Sequence, residues 1–297
     1  MTTREADAEG ANRPFPLDAP ARAERAPARD LEAMREMRNN ALRIGLPALW
    51  VTLLLVGWDF LVTVNQIPQY ILPRPGVVAQ TVASDWHILW PALLNTLTIT
   101  FGALFLATVG GVLLAVGLAQ SKIVEYSISP IAVILQVTPI VAVFPLINIY
   151  VENIYTKLLL CAWIVAFFPT LSNSMLGLKS ADRNLVALYR LYGASEWQTL
   201  RYLKLPSAMP YVLGGLRITG GLSLIGAVVA EYVAGSAGVG TGLASRLIEA
   251  AYRLNNPRLF AALFLLSLTG VLIYVVLSFV STRILRQWHE SALKDAR

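Results

Sequence analysis

Apolar residues run along this chain in long blocks, without the two-residue or one-faced periodicity of a soluble domain. The blocks cover about Ile44–Val64, Pro91–Ala119, Ile123–Tyr150, Thr156–Leu178, Pro210–Ala234 and Leu259–Leu285. Each reaches the ~20 residues that a helix needs to cross a hydrocarbon core. The pattern predicts an all-α, polytopic membrane bundle of about six transmembrane helices. The third block is long and carries Pro130, Pro139 and Pro145. A kink is expected there, or a division into a span and a re-entrant piece.

One polar, basic stretch between blocks is punctuated like structure. Within Ser180–Pro206, Asp182 is placed to N-cap a helix through Tyr192, and Gly193 supplies a left-handed turn that ends it. Ser195 with Gln198 three residues on has capping-box spacing and predicts a second helix, which Leu205-Pro206 should stop. A capped helix pair in a membrane protein's loop implies something to dock against. An ordinary amphipathic loop is the alternative.

On the opposite side, Asn65–Trp90 carries Leu72-Pro73-Arg74-Pro75 and then a short surface helix, with Trp86 and Trp90 at the interface. Gly235–Pro257 carries Gly235, Gly238, Gly240 and Gly242 before a helical pattern from Leu243 to Leu254. Without a following Gly-Lys-Ser/Thr these glycines read as a turn, not as a phosphate cradle.

Composition agrees with the pattern. Of the 297 residues, 56% are hydrophobic and 14% charged, and mean hydropathy is +0.59. Soluble domains carry about 25% charged residues. The net charge of +6 thus bears on topology and gives no reason to expect nucleic acid. With both termini in the cytoplasm, all 24 basic residues face inward except Arg74, Lys157, Arg246, Arg253 and Arg258, as the positive-inside rule requires. Residues 1–43, rich in Ala, Arg and Pro, read as a disordered cytoplasmic tail and not as a secretory signal. Residues 44–285 read as the membrane domain, with a cytoplasmic loop at 179–206, and 286–297 as a second tail.

Little in the chain suggests chemistry. It has no Walker A pattern and no nucleophile set at recognisable spacing, and His87 and His289 lack metal-ligand partners. No catalytic residue, metal or cofactor is expected. The lone Cys161 reads as a small packing residue. On the second span, Gly102, Gly110, Gly111, Ala115 and Gly117 suit close helix packing, within one bundle or, as a sharper reading, along a seam between two copies. Ionisable groups inside spans are functional candidates. Glu231 fits either the lining of a translocation path or the fixing of a helix end. Gln136, Thr138 and Asn148 fit either that path or interhelical hydrogen bonds. Arg217 is expected to snorkel to the cytoplasmic surface. Asp59 suits a neighbouring helix or the outer interface.

The capped loop also has a recognisable spacing. Gly193, nine residues, then Leu203-Lys204-Leu205-Pro206 resembles the EAA motif of permease subunits in binding-protein-dependent ABC importers. Gly193-Ala194-Ser195-Glu196, Leu72-Pro73-Arg74-Pro75, Thr138-Pro139 through Pro145-Leu146, and Gly226–Glu231 with Gly238-Val239-Gly240 are similar to that family's nitrate/sulfonate/taurine type. The resemblance covers about Ile67 to Phe279.

It implies a type I importer permease in the bacterial inner membrane. Its partners would be an ABC ATPase subunit, which hydrolyses the ATP, a periplasmic solute-binding protein, a second permease copy and the lipid bilayer. ATPase coupling would fall on Arg183, Ala187, Arg190, Tyr192, Gly193, Ala194, Ser195, Glu196, Leu203, Leu205 and Pro206. One departure stands out: Ala187 occupies the place of the motif's glutamate, and Arg183, Arg190, Tyr192 or Glu196 would have to substitute for it.

The absence of Lys or Arg near mid-membrane disfavours a dianionic cargo. Ile218–Gly242 and Phe167-Phe168-Pro169 resemble permeases for riboflavin or a thiamine pyrimidine precursor. Nitrate, sulfonate or taurine is the alternative cargo. An ion-coupled transporter using Glu231 or Asp59, and a scaffold without transport, are the rival classes.

Overall fold

The computed structural model describes residues 25–235 and 242–286. Its elements are α1 (Arg25–Val64), α2 (Pro75–Ser84), α3 (Trp86–Ala119), α4 (Lys122–Val137), α5 (Ile140–Tyr150), α6 (Ile154–Lys179), α7 (Arg183–Leu191), α8 (Glu196–Thr199), a π turn (Leu200–Lys204), α9 (Leu205–Ala234), α10 (Leu243–Tyr252) and α11 (Asn256–Arg286). No strand occurs among the described residues. Five helical segments are long and apolar enough to cross a membrane: Gly45–Val64, Trp86–Ala119, Ile154–Lys179, Glu196–Ala234 and Asn256–Arg286.

Helix α1 belongs to an N-terminal unit ending at Val64. It begins at Arg25, so residues 25–43, expected in the disordered tail, are helical. Their Ala, Arg, Glu and Met residues are strong helix formers. Residues 1–24 and 287–297 lie outside the described residues.

The second unit, from Asn65 onward, is built on α6. Small residues let α9 lie directly on it: a Cβ at Gly226 would stand 2.9 Å from the Ala162 Cα, and one at Gly177 would stand 2.9 Å from the Ala208 carbonyl oxygen. The pairs 162 with 226, 170 with 219 and 177 with 208 make the two helices antiparallel. Midway, the Thr170 and Thr219 hydroxyls share a 2.8 Å hydrogen bond. Cys161, Ala162, Ala166, Ala227 and Ala230 are fully buried.

Helix α3 packs parallel to α6. A Cβ at Gly102 would meet the Leu159 side chain, and one at Gly111 would come within 2.9 Å of Thr170. Three of the glycines on this span thus serve packing within the chain, whereas Gly117 faces open space. On its other side α9 packs antiparallel to α11, where Leu277 and Ile273 fill the space over Gly220 and Ser281 donates to the Leu213 carbonyl at 2.9 Å.

The third apolar block is divided. Helices α4 and α5 are separated by Thr138-Pro139, because Pro139 has no N–H with which to continue α4. Two polar contacts show how the pair runs. Glu125, in the first turn of α4, pairs with Lys179 at the last residue of α6. Asn148, near the end of α5, accepts a 2.7 Å hydrogen bond from Lys157 at the start of α6. Together α4 and α5 therefore cover the length of α6 in the opposite direction.

The α6–α9 contact generates a prediction. Gly226→Val should force the two backbones apart and cost ~1–3 kcal/mol, the usual penalty of overpacking. Thermal unfolding of the detergent-solubilised protein measures it. Gly117→Ala, with open space around it, should leave the melting temperature unchanged.

Candidate functional site

Two polar regions lie at opposite ends of the bundle. The first is the loop between α6 and α9. Asp182 caps α7 by accepting from the Asn184 N–H at 2.7 Å. At the other end of α7, Gly193 adopts φ +72°. The Gly193 N–H donates to the Arg190 carbonyl and the Ala194 N–H to the Tyr189 carbonyl, each at 3.0 Å. This is a Schellman closure, which a residue with a side chain would strain. Ser195 and Gln198 form a capping box: Ser195 N–H donates to Gln198 Oε1 at 2.7 Å, and Gln198 N–H to Ser195 Oγ at 3.2 Å.

The expectation that Leu205-Pro206 stops the second helix is wrong. Helix α8 widens into the π turn and continues as α9, giving one helical segment from Glu196 to Ala234. The Leu205 N–H reaches back to the Leu200 carbonyl. Pro206 has no N–H to keep the narrower register, so the wider turn absorbs it at the start of α9, where proline is tolerated. Leu200 is buried there with Leu178, Ala208, Leu171, Phe168, Ala115 and Leu118, and Leu203 of the same turn is also buried. The loop is thereby rooted in the bundle.

Its outer surface carries an apolar strip. No residue of α7 is buried. Leu185, Leu188, Leu191, Tyr192 and Trp197 are exposed, Leu191 and Tyr192 at 84%. Arg183, Ala187 and Arg190 are exposed among them. Glu196 bridges Arg190 at 3.3 Å and Lys204 at 3.8 Å. These ion pairs are largely solvated and contribute little stability, but they tie α7, α8 and the π turn together.

The second polar region is at the far end. Glu231 is 1% exposed, and its carboxylate sits at the N-terminus of α10. It accepts from the Ala244 N–H at 3.0 Å and the Thr96 hydroxyl at 2.8 Å, while Thr96 accepts from the Leu243 N–H at 2.9 Å. Free N–H groups and the helix dipole favour a carboxylate here. A Cβ at Gly242 would lie 2.0 Å from Glu231 Oε1, so glycine is required at the cap. Nearby, Arg258 pairs with Asp85 at 2.6 Å, and Asn256 donates to the Tyr70 carbonyl at 2.7 Å and the Ile71 carbonyl at 3.1 Å. Arg246 hydrogen-bonds Glu249 at 2.7 Å and holds its carboxyl below the usual range.

The four path candidates do not form one site. Glu231 fixes the end of α10, and Asn148 pairs with Lys157. Gln136 is exposed on α4, whereas Thr138 lines a cavity at the α4–α5 break. Arg217 is half-buried and donates to Thr282 Oγ1 at 3.3 Å, so it reaches α11. Nothing in the sequence singles out Thr96, and Gly242 reads there only as a turn glycine directly before a helical pattern. Gly238 and Gly240 lie outside the described residues.

The lock at Glu231 is open to test. Glu231→Ala leaves buried donors without an acceptor and should cost ~1–3 kcal/mol. It should also speed proteolysis between α9 and α11, read by limited digestion in detergent. Thr96→Ser, which keeps the hydroxyl, should change neither substantially.

Comparison with known proteins agrees with this geometry. Residues 107–288 match the family described as binding-protein-dependent transport system inner membrane component. The riboflavin transport system permease protein of Chloroflexus aurantiacus is 36% identical over 253 residues, covering 84% of this chain and 91% of that protein. The formylaminopyrimidine transport permease protein of Halalkalibacterium halodurans is 33% identical over 229 residues, covering 76% and 89%. Permeases named for taurine, aliphatic sulfonates and nitrate are also similar, the taurine permease of Escherichia coli at 30%. Among solved structures, an inward-facing methionine ABC transporter aligns with TM-score 0.57 at 20% identity, covering 70% of this chain and 99% of that one. A bundle rooted on α6 and α9, with a capped helix pair inserted between them, is thus a type I ABC importer permease fold, and the chain belongs to the inner-membrane permease components of binding-protein-dependent transport systems.

Proposed function

We propose that this chain is the translocating subunit of an importer for a small heterocyclic, vitamin-type solute, riboflavin or a pyrimidine precursor. A separate ATPase subunit docks on α7–α8 and supplies the energy, and a binding protein delivers solute to the opposite end. The observation that carries the reading is the exposed apolar strip of Leu185, Leu188, Leu191 and Tyr192, displayed on a capped element whose root at Leu200 is buried in the bundle. An exposed apolar strip on a stiff element supports a role in protein docking. Force applied there reaches α9 through the π turn and α6 through the packing around Leu178.

The excess of basic residues supports a cytoplasmic location for the α7 end and for both termini. Two copies of the chain would form the pathway, and the alternation of the pair between two arrangements would be biased by ATP at the partner subunits. Arg190 and Glu196 neutralise each other, so docking at Ala187 rests on apolar contact more than on a carboxylate. The similarity to riboflavin and pyrimidine-precursor permeases supports the cargo class. Import of taurine, sulfonate or nitrate by the same machinery is the second reading, supported by the relatives named for those solutes.

Leu188→Glu and Gly193→Pro test the docking. Proline cannot adopt the φ of +72° at Gly193. A charge in the strip should remove about 2 kcal/mol or more of docking energy, a typical hot-spot loss. Both variants should insert in the membrane, yet lose co-purification with the ATPase and at least about tenfold in ATP-dependent uptake. Uptake that survives both changes would sink the coupling assignment.

A further inference from the structure

The break between α4 and α5 opens onto a cavity of about 280 Å³. Three aromatic residues and the break itself define its character. Trp163 and Phe167 lie one turn apart on α6, with ring centroids 5.0 Å apart and planes at 47°. Phe168 stands edge-on to Phe167, with centroids 5.3 Å apart and planes at 84°. Trp163 and Phe167 are half-buried and keep ring surface available, while Phe168 is buried behind them. Aliphatic side chains of α3, α4, α5 and α6 close the rest, and Thr138 enters from the break. No ionisable side chain lines it.

Depth and backbone both mark the place. Phe167 is near the middle of α6. Interrupted backbone at membrane depth is tolerated where it lines a cavity, and discontinuous helices recur at solute sites. The Thr138 hydroxyl donates to the Ile134 carbonyl at 2.7 Å, leaving its oxygen lone pairs as acceptors. The first N–H groups of α5 lie at the same break. Pro139 is followed by Ile140 and Val141, whose N–H groups precede the first i−4 bond of the new helix.

We propose that this cavity is the mid-membrane station for a flat, uncharged heteroaromatic solute, stacked against the ring surface that Trp163 and Phe167 leave available and hydrogen-bonded at Thr138 and the start of α5. Its volume suits a ring system of two or three fused rings. Stacking on aromatic faces holds such rings without charge. A taurine or nitrate anion would find no cation among the lining residues. The assignment rests on the importer reading for its direction of flow, but the cavity itself is tested without transport.

The probe is riboflavin, titrated into the full-length chain in lipid nanodiscs, with quenching of flavin fluorescence as the readout. Saturable quenching is expected. Trp163→Leu and Phe167→Leu should each weaken apparent affinity about tenfold or more, the effect of losing one stacked ring. Phe264→Leu, exposed on α11, should stay within about twofold of the unmodified chain. Thr138→Val should weaken riboflavin about fivefold, the loss of one hydrogen bond. If Trp163→Leu fails to fold, Trp163→Phe should bind within about threefold, because an aromatic face remains.

Three results overturn the proposal: quenching that does not saturate, equal affinity in Trp163→Leu and Phe167→Leu, or taurine displacing riboflavin as well as a free aminopyrimidine does. Unaffected uptake in the coupling variants, with riboflavin binding intact, would instead sink the ATPase-docking assignment, and absence of riboflavin uptake by the unmodified chain with its partners would sink the importer reading; either leaves the cavity assignment standing.

Discussion

Helices surrounded by lipid gain nothing by hiding apolar side chains from one another, so they associate only where backbones approach closely or polar groups bond across. In this chain that condition is met along one line, where Ala162 and Gly226, Thr170 and Thr219, and Gly177 and Ala208 bring α6 and α9 together. The other contacts of the second unit build on that line. Helix α3 lies on α6 through Gly102 and Gly111, α11 lies on α9 through Gly220, and Leu200 enters at its α7 end. A change that separated α6 from α9 would thus reach both the docking loop and the lock at Glu231. This is how a pair of ordinary helices can serve as one rigid lever.

Proline sets the exceptions to that rigidity, and the two that matter act differently. Pro139 follows an extended Thr138, so the chain leaves helix and α5 starts anew. Pro206 follows a residue still in helical conformation, so the missing N–H is absorbed by a π turn and the helix survives. The outcome turns on what packs around each proline. Leu200 and Leu203 are buried and hold their backbone in place, whereas Gln136, Val137 and Thr138 are exposed within this chain. A firm root at Pro206 suits transmission from the docking loop, and an interruption at Pro139 suits a cavity.

The same contrast explains what was legible in the sequence. Spans followed from the length of apolar runs, and the caps at Asp182, Gly193 and Ser195 followed from local chemistry, because each depends on residues within one turn. Pro206 was misread because its fate depends on the burial of Leu200 and Leu203, which is a tertiary property. Glu231 remained divided between two roles because Thr96 lies 135 residues away and is silent by itself, and the helical pattern 13 residues on does not show that its first N–H groups turn back to the carboxylate. The extension of α1 to Arg25 was missed for another reason: helix-forming residues were discounted because apolar periodicity was absent.

Placement of charge and of aromatic rings along the membrane normal then becomes a physical argument about cargo. Three ionisable groups of α6 and α9 meet their partners toward the helix ends: Lys157 with Asn148, Lys179 with Glu125, and Glu231 with α10; Arg217, near the middle of α9, reaches Thr282 on α11 instead. A carboxylate or cation held at such a position satisfies its hydrogen bonds and avoids the cost of standing alone in an apolar medium. The middle of α6 is left to Trp163, Phe167 and Phe168, beside a helix break. A solute on the proposed path would meet polarizable ring faces and a few backbone dipoles. Molecules that can exchange water for that environment are flat and uncharged; a small anion would have to surrender its hydration shell for no compensating charge.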